Sequence, residues 1–296
     1  MNNLVVLNQT GLVLQGGGTR GAFTAGVLDV FLEHKLFFPY VIGTSAGALN
    51  GVNFLSRDHG RSKTVTTELM GDRKFVSLGN FFRRGTFFNF AYLFHTVPKT
   101  ILPFSSAIYN ASPAEFTACA TSVIDGKPRF YKKGECREFY KALAASSSLP
   151  LLARPVDVDG ELCLDGGLTA PVPFEKALED GQKKVVVVGT REAGYRKKPQ
   201  KPFNVFLTKC MYHKYPKLIE AYKLWPKRYN ENAEELERLV KEGKIFCIRP
   251  EVAPGVGVAE KDSDKLRALY DEGRRIAEMN LDAMMAYLKE DNEPER

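Results

Sequence analysis

Between residues 12 and 55 the chain twice repeats one order: a short apolar strand, a glycine-bearing turn, then a run with buried faces. Leu12-Val13-Leu14 leads into Gly16-Gly17-Gly18-Thr19-Arg20-Gly21. From Gly21 to His34 the apolar residues cover more than one face, which predicts a well-buried helix broken before Pro39. Tyr40-Val41-Ile42 predicts a second strand, running into Gly43-Thr44-Ser45-Ala46-Gly47, and Ala48 to Leu55 predicts a second helix. Strands joined through helices lie parallel, so this order predicts an α/β fold with a mostly parallel central sheet.

Downstream, Phe116 to Ile124 and Arg129 to Lys132 predict a hairpin through Asp125-Gly126, and Glu135 to Ala145 a helix. Residues 156 to 164 predict a turn and strand that enter Asp165-Gly166-Gly167. Pro173 to Leu178 predicts a helix with proline at its start, and Lys184 to Val188 a buried strand. Beyond Arg191 the expected elements are one or two helices over Phe203 to Ala221, a polar helix over Asn232 to Lys241, a strand over Lys244 to Arg249 and a helix over Ser263 to Leu288. The tail from Asp291 to Arg296 is expected to fray. Residues 61 to 115 are rich in phenylalanine but have no clean period. They read either as core packed over the sheet edge or as an apolar cap above a site.

Charge bounds the partners. From 181 to 250 there are 17 Lys or Arg against 7 Asp or Glu, and from 251 to 296 there are 7 against 12. A basic region of this kind suits nucleic acid, anionic lipid or an anionic substrate, or is simply a solvated face. No nucleic-acid-reading motif accompanies it, so nucleic acid is not expected. Five cysteines without Cys-x-x-Cys spacing suit a reducing compartment. The N-terminal residues make a poor signal peptide, and no apolar run approaches membrane-spanning length. The expected location is cytoplasmic, with peripheral contact to an anionic inner membrane surface through residues 183 to 228. No His/Cys/Asp spacing suits a metal, and no cofactor is expected.

The glycine turns need a purpose, since glycine is costly to order. The Walker pattern fails at Ala22-Phe23. Gly16, Gly18 and Gly21 match the dinucleotide spacing, but the strand at Tyr40 to Ile42 ends without the carboxylate that pattern requires. Gly43-x-Ser45-x-Gly47 between a strand and a helix fits a nucleophile elbow, with the amides around Gly17 and Gly18 as oxyanion donors. None of the four histidines (His34, His59, His95, His213) lies in a glycine-bounded loop after a strand. Asp165 does stand at a strand end, and reads either as a turn aspartate or as a base with a raised pKa.

Together the three signatures resemble the patatin-like phospholipases. The resemblance covers roughly residues 10 to 190 and includes the Ala-Ser stretch of Ala145 to Pro150. It implies a three-layer α/β/α catalytic domain over 1–190 with Ser45 as nucleophile, Asp165 as base and no histidine. Gly43 and Gly47 frame the elbow. The backbones of Gly17, Gly18 and Thr19 become oxyanion donors, and Arg20 holds the loop. Residues 191–296 become a mostly helical extension packed on or beside that domain. The implied activity is hydrolysis of phospholipid or lysophospholipid esters through an acyl-enzyme. The alternative is a lipid-binding or regulatory protein of weak activity on the same fold.

Overall fold

The structure, a computed structural model, describes residues 4–289. The expectation for Asp291 to Arg296 lies outside the described residues. In chain order the strands of the main sheet are β1 (Thr10–Leu14), β2 (Tyr40–Thr44), β3 (Glu115–Ser122), β4 (Pro128–Lys132), β5 (Val156–Val158), β6 (Glu161–Asp165), β7 (Lys184–Val188) and β8 (Phe246–Ile248). Their spatial order is β8-β7-β1-β2-β3-β6-β5, with β4 also paired to β3. The run from β8 to β3 is parallel, whereas β4, β5 and β6 pair antiparallel.

The helices are α1 (Gly21–Glu33), α2 (Ala46–Leu55), α3 (Phe139–Ser146), α4 (Phe174–Glu179), α5 (Pro202–Met211), α6 (Pro216–Lys241) and α7 (Ser263–Lys289), with shorter helical turns between Arg61 and Ala111. Alternation along the strands sorts them into layers. Leu12, Leu14, Val186 and Val188 join one cluster with residues of α1, α2, α3 and α7. Val13, Val185 and Val187 join a second with Phe174 and Ala177 of α4 and Leu236 and Leu239 of α6. Strands buried on both faces read as continuous apolar runs, which is why β1, β2 and β7 stand out in the sequence. The fold is thus α/β, and residues beyond 190 contribute the edge strand β8 and the covering helix α7.

Several boundaries differ from expectation. Helix α3 starts at Phe139 rather than Glu135, because the N–H groups of Glu135 and Cys136 turn back to the Lys132 carbonyl. Helix α4 starts just after Pro173, which caps it. The expected break between residues 221 and 232 is absent: α6 runs unbroken from Pro216 to Lys241 with Pro226 inside it. Proline removes one helical hydrogen bond. The buried stripe of Leu218, Tyr222, Tyr229, Leu236 and Leu239 holds the helix together across it.

Helix α7 lies along α1 at a backbone-close crossing. A side chain at Gly26 would stand 2.1 Å from the Tyr270 carbonyl oxygen, and one at Gly273 would stand 2.2 Å from that of Phe23. Tyr270 donates to Asp29 at 2.6 Å, and Arg274 pairs with both oxygens of Glu33 at 2.8 Å. The phenylalanine-rich stretch divides between roles: Phe75 and Phe90 are buried in the core, while Phe82 is 82% exposed.

Candidate active site

Ser45 sits between the last residue of β2 and the first of α2, with φ 55° and ψ −126°. A non-glycine residue held there costs about 1–3 kcal/mol and persists only if its surroundings enforce it. Gly47 is one enforcer: a Cβ there would meet the Leu14 carbonyl oxygen at 2.2 Å. A second is the Ser45 N–H, which donates to Ser146 Oγ at 2.8 Å.

The register of β3 brings the second residue to the first. Thr44 of β2 is opposite Cys119, and Asp165 of β6 is opposite the next residue, Ala120. Both Cys119 and Ala120 also pair with β4, so β4 takes one edge of β3 and β2 and β6 share the other. Strands β2 and β6 therefore run head to head along one edge, and their C-terminal tips meet. Ser45 and Asp165 line the same cleft at that meeting point.

Asp165 is buried, and Oδ1 accepts the Gly167 N–H at 2.7 Å. Its N–H donates to the Ser148 carbonyl at 2.9 Å, and its own carbonyl accepts from Thr121 Oγ1. Oδ2 is sealed from solvent and completes no hydrogen bond of ordinary geometry. Burial pushes the pKa up to about 7, opposed in decreasing order by the Gly167 amide, the adjacent Ser45 hydroxyl and the Lys197 ammonium. The hydroxyl is thus near the carboxylate without the alignment of a full hydrogen bond.

The glycine loop is held differently from expectation. Thr190 Oγ1 donates to the Gly16 carbonyl at 2.9 Å, and Thr19 Oγ1 donates to the Gly257 carbonyl at 2.8 Å. The Thr19 N–H donates to the Val258 carbonyl at 3.0 Å, so it is not free to receive an oxyanion. The amides of Gly17 and Gly18 make no hydrogen bond among the described residues, which leaves them as the available donors. Gly18 has φ +60°, and a Cβ there would lie 2.2 Å from the Val258 carbonyl oxygen. Nor does Arg20 brace the loop: its guanidinium makes no hydrogen bond there, and its buried Nε has no partner. Instead it lines the cleft, its pKa lowered to about 10 by burial and then by Arg191.

Two cavities flank Ser45. One is a polar cleft of about 560 Å³ lined by Arg20, Asp165, Arg191, Tyr195, Lys197 and Trp225 among others. The other, about 660 Å³, is walled by Leu49, Val65, Met70, Phe75, Phe88 and Phe90. Gly18, Ser45, Leu149 and Val258 border both. No histidine lines either cavity. His34 and His59 instead face Glu278 and Glu33, His95 packs against Tyr140, and His213 lies against the Cys210 carbonyl.

Sequence reasoning gave no role to Ser146 and Ser148, whose only signal was the serine run at the end of α3. It gave none to Val258, and took Arg191 and Lys197 only as part of the basic region 183 to 228 expected at a membrane surface, not as lining of the cleft. These lie on irregular segments, where no periodicity marks an inward-facing side chain. No helix among the described residues is long and apolar enough to cross a membrane.

The chain is similar to several known proteins. An uncharacterized protein, YjjU, of Escherichia coli K12 is 30% identical over 184 residues, 60% of this chain and 51% of that one. The lysophospholipase nte1 of Aspergillus terreus is 28% identical over 186 residues, 57% of this chain and 11% of that one. The chain thus spans about half the length of the first relative and far less of the second. The crystal structure of VipD from Legionella pneumophila aligns with TM-score 0.46 and 15% identity over 91% of this chain and 67% of that one. Residues 215–289 match a domain of unknown function, DUF6363. The patatin-like phospholipase profile matches residues 12–178. That is more than half the chain and holds the glycine loop, the serine elbow and the Asp-Gly-Gly turn, so the chain belongs to the patatin-like phospholipase family.

Proposed function

We propose that the protein is a serine acyl hydrolase that cleaves carboxylic esters of lipids with a Ser45–Asp165 dyad. The observation that carries the reading is the pairing of a strained elbow serine with a buried, half-satisfied carboxylate in one cleft. Asp165 takes the Ser45 proton as Oγ attacks the ester carbonyl carbon. The carbonyl oxygen becomes the oxyanion, and the Gly17 and Gly18 amides donate to it. Collapse breaks the bond to the alcohol oxygen, which leaves with the proton held by Asp165. Water then attacks the acyl-enzyme with the same base, releasing the acid and restoring Ser45. The apolar cavity beside Ser45 suits the acyl chain.

The test is labelling with a fluorophosphonate, mapped by mass spectrometry, alongside hydrolysis of p-nitrophenyl butyrate. Ser45 should carry the label, and S45A should lose both label and turnover. D165N should retain the fold and lose about 10²–10⁴-fold in turnover, the range for removing a general base. Undiminished turnover by S45A overturns the assignment.

Peripheral contact with an anionic bilayer is part of the same proposal. Helix α5 exposes Phe203, Phe206 and Met211, and Lys201, Lys209 and Lys214 are exposed on it or beside it.

A further inference from the structure

The polar cleft contains more positive charge than an ester carbonyl requires. Arg20, Arg191 and Lys197 all line it, and none makes an ion pair or a side-chain hydrogen bond among the described residues. Arg20 is only 8% exposed and its Nε lacks any partner. The negative groups nearby are Asp165, whose burial favours the neutral form, and Glu192, next in sequence to Arg191. Arg191 and Lys197 both lie beyond residue 178, where the family profile ends.

The aromatic side chains of the cleft are already occupied by these cations. The Lys197 ammonium lies 3.7 Å from the Trp225 ring centre and 5.0 Å from that of Tyr229. The Arg191 guanidinium lies 4.1 Å from the Tyr195 ring centre. Aromatic faces of this sort are what a quaternary ammonium group would seek. Here a choline would meet rings already filled and three like charges around them. A phosphomonoester carries about −1.5 to −2 charge near neutral pH and three acceptor oxygens, the complement of this cleft. The apolar cavity also borders Ser45, so an ester whose carbonyl sits at the serine can put its acyl chain there and its alcohol among the cations.

We propose that Arg20, Arg191 and Lys197 bind a phosphate on the leaving alcohol. On this assignment the chain prefers acyl esters with a terminal phosphomonoester over neutral or choline-bearing ones. This rests on the hydrolase reading and names its substrate class.

The experiment compares kcat/KM for lysophosphatidate, lysophosphatidylcholine and monoacylglycerol of one chain length, all as monomers. Lysophosphatidate should be favoured over each by at least about tenfold, the worth of one hydrogen bond to a charged group. K197Q and R191Q should each reduce that ratio by about tenfold, and K197R should largely keep it. In parallel, calorimetry follows binding of an alkyl ether analogue of lysophosphatidate, which has no ester to cleave, with glycerol phosphate and inorganic phosphate as separate arms. The ether analogue should bind more tightly than its choline counterpart, and K197Q should weaken it. Equal or better turnover of the choline ester overturns the inference, as does a preference that K197Q leaves intact. Binding of inorganic phosphate without any preference among the esters overturns it too, because the cleft would then serve a free anion. If no ester is cleaved while the ether analogue keeps its preference, the anion site stands and the hydrolase reading falls.

Discussion

A carboxylate is a weak base for a serine hydroxyl, and in the proposed dyad the surroundings of Asp165 are what would strengthen it. An exposed aspartate near pKa 3.8 would hold the serine proton poorly, whereas burial lifts this one to about 7. The base must be ionised to act, so kcat/KM for an uncharged ester should fall about tenfold per pH unit below that value. Turnover of p-nitrophenyl butyrate across pH 4 to 9 measures this, and an acid limb near pH 4 would contradict it. The same shift affects stability. In the unfolded chain Asp165 loses its proton near 3.8, while the folded protein keeps it to about 7, so stability falls as pH rises through that window. Each pKa unit is worth about 1.4 kcal/mol, which makes the effect a few kcal/mol. D165N should therefore melt at a higher temperature than the wild type at pH 8, with the gap closing near pH 4. A gap independent of pH would count against a buried, titrating carboxylate.

Among the elements, the crossing of α1 and α7 gives two opposed expectations for one substitution. Alanine in place of glycine within a helix gains about 1 kcal/mol of propensity. At Gly273, however, the new methyl would stand 2.2 Å from the Phe23 carbonyl oxygen and force the helices apart. Overpacking of that kind costs about 1–3 kcal/mol, so the clash wins and G273A should lower the urea midpoint. G26A should behave alike, against the Tyr270 carbonyl. This crossing marks where sequence reading stops. The sequence shows Gly273 only as a weak point in a helical pattern, because a partner helix some 250 residues away is invisible to local periodicity. The buried strands β1, β2 and β7 and the serine elbow were legible, since apolar runs and glycine turns are local signals. That β6 runs against β2 along one edge of β3 was not, as strand pairing leaves no mark on either strand. Helix α6 is split in the sequence reading because the buried stripe that carries it from Ala221 to Asn232 past Pro226 is not a local signal.

Over the whole molecule the basic stretch proves to have several destinations. Arg191 and Lys197 turn into the cleft, and Arg196 pairs with Glu234 and Glu237. Lys198, Lys201, Lys209, Lys214 and Lys223 stay exposed, near Phe203 and Phe206 in sequence. If this face meets an anionic bilayer, each lysine contributes about 1 kcal/mol there, and the aromatic pair inserts. Sedimentation with phosphatidylserine-containing vesicles should weaken from 0.1 to 1 M salt, as the screening length shrinks from about 10 to about 3 Å. Replacing Phe203 and Phe206 with serine should weaken it further at either salt. Binding that ignores both salt and these substitutions would remove the membrane from the proposal. The meeting of two strand tips on β3 has a longer reach. Neighbouring backbone positions on a single strand, Cys119 and Ala120, fix the spacing of the proposed dyad, and the excursion from 61 to 114 sits outside that gauge. On the proposed chemistry, insertions and deletions in the excursion over generations resize the apolar cavity beside Ser45 while the dyad keeps its alignment, so new diets of fatty chain need no new catalyst.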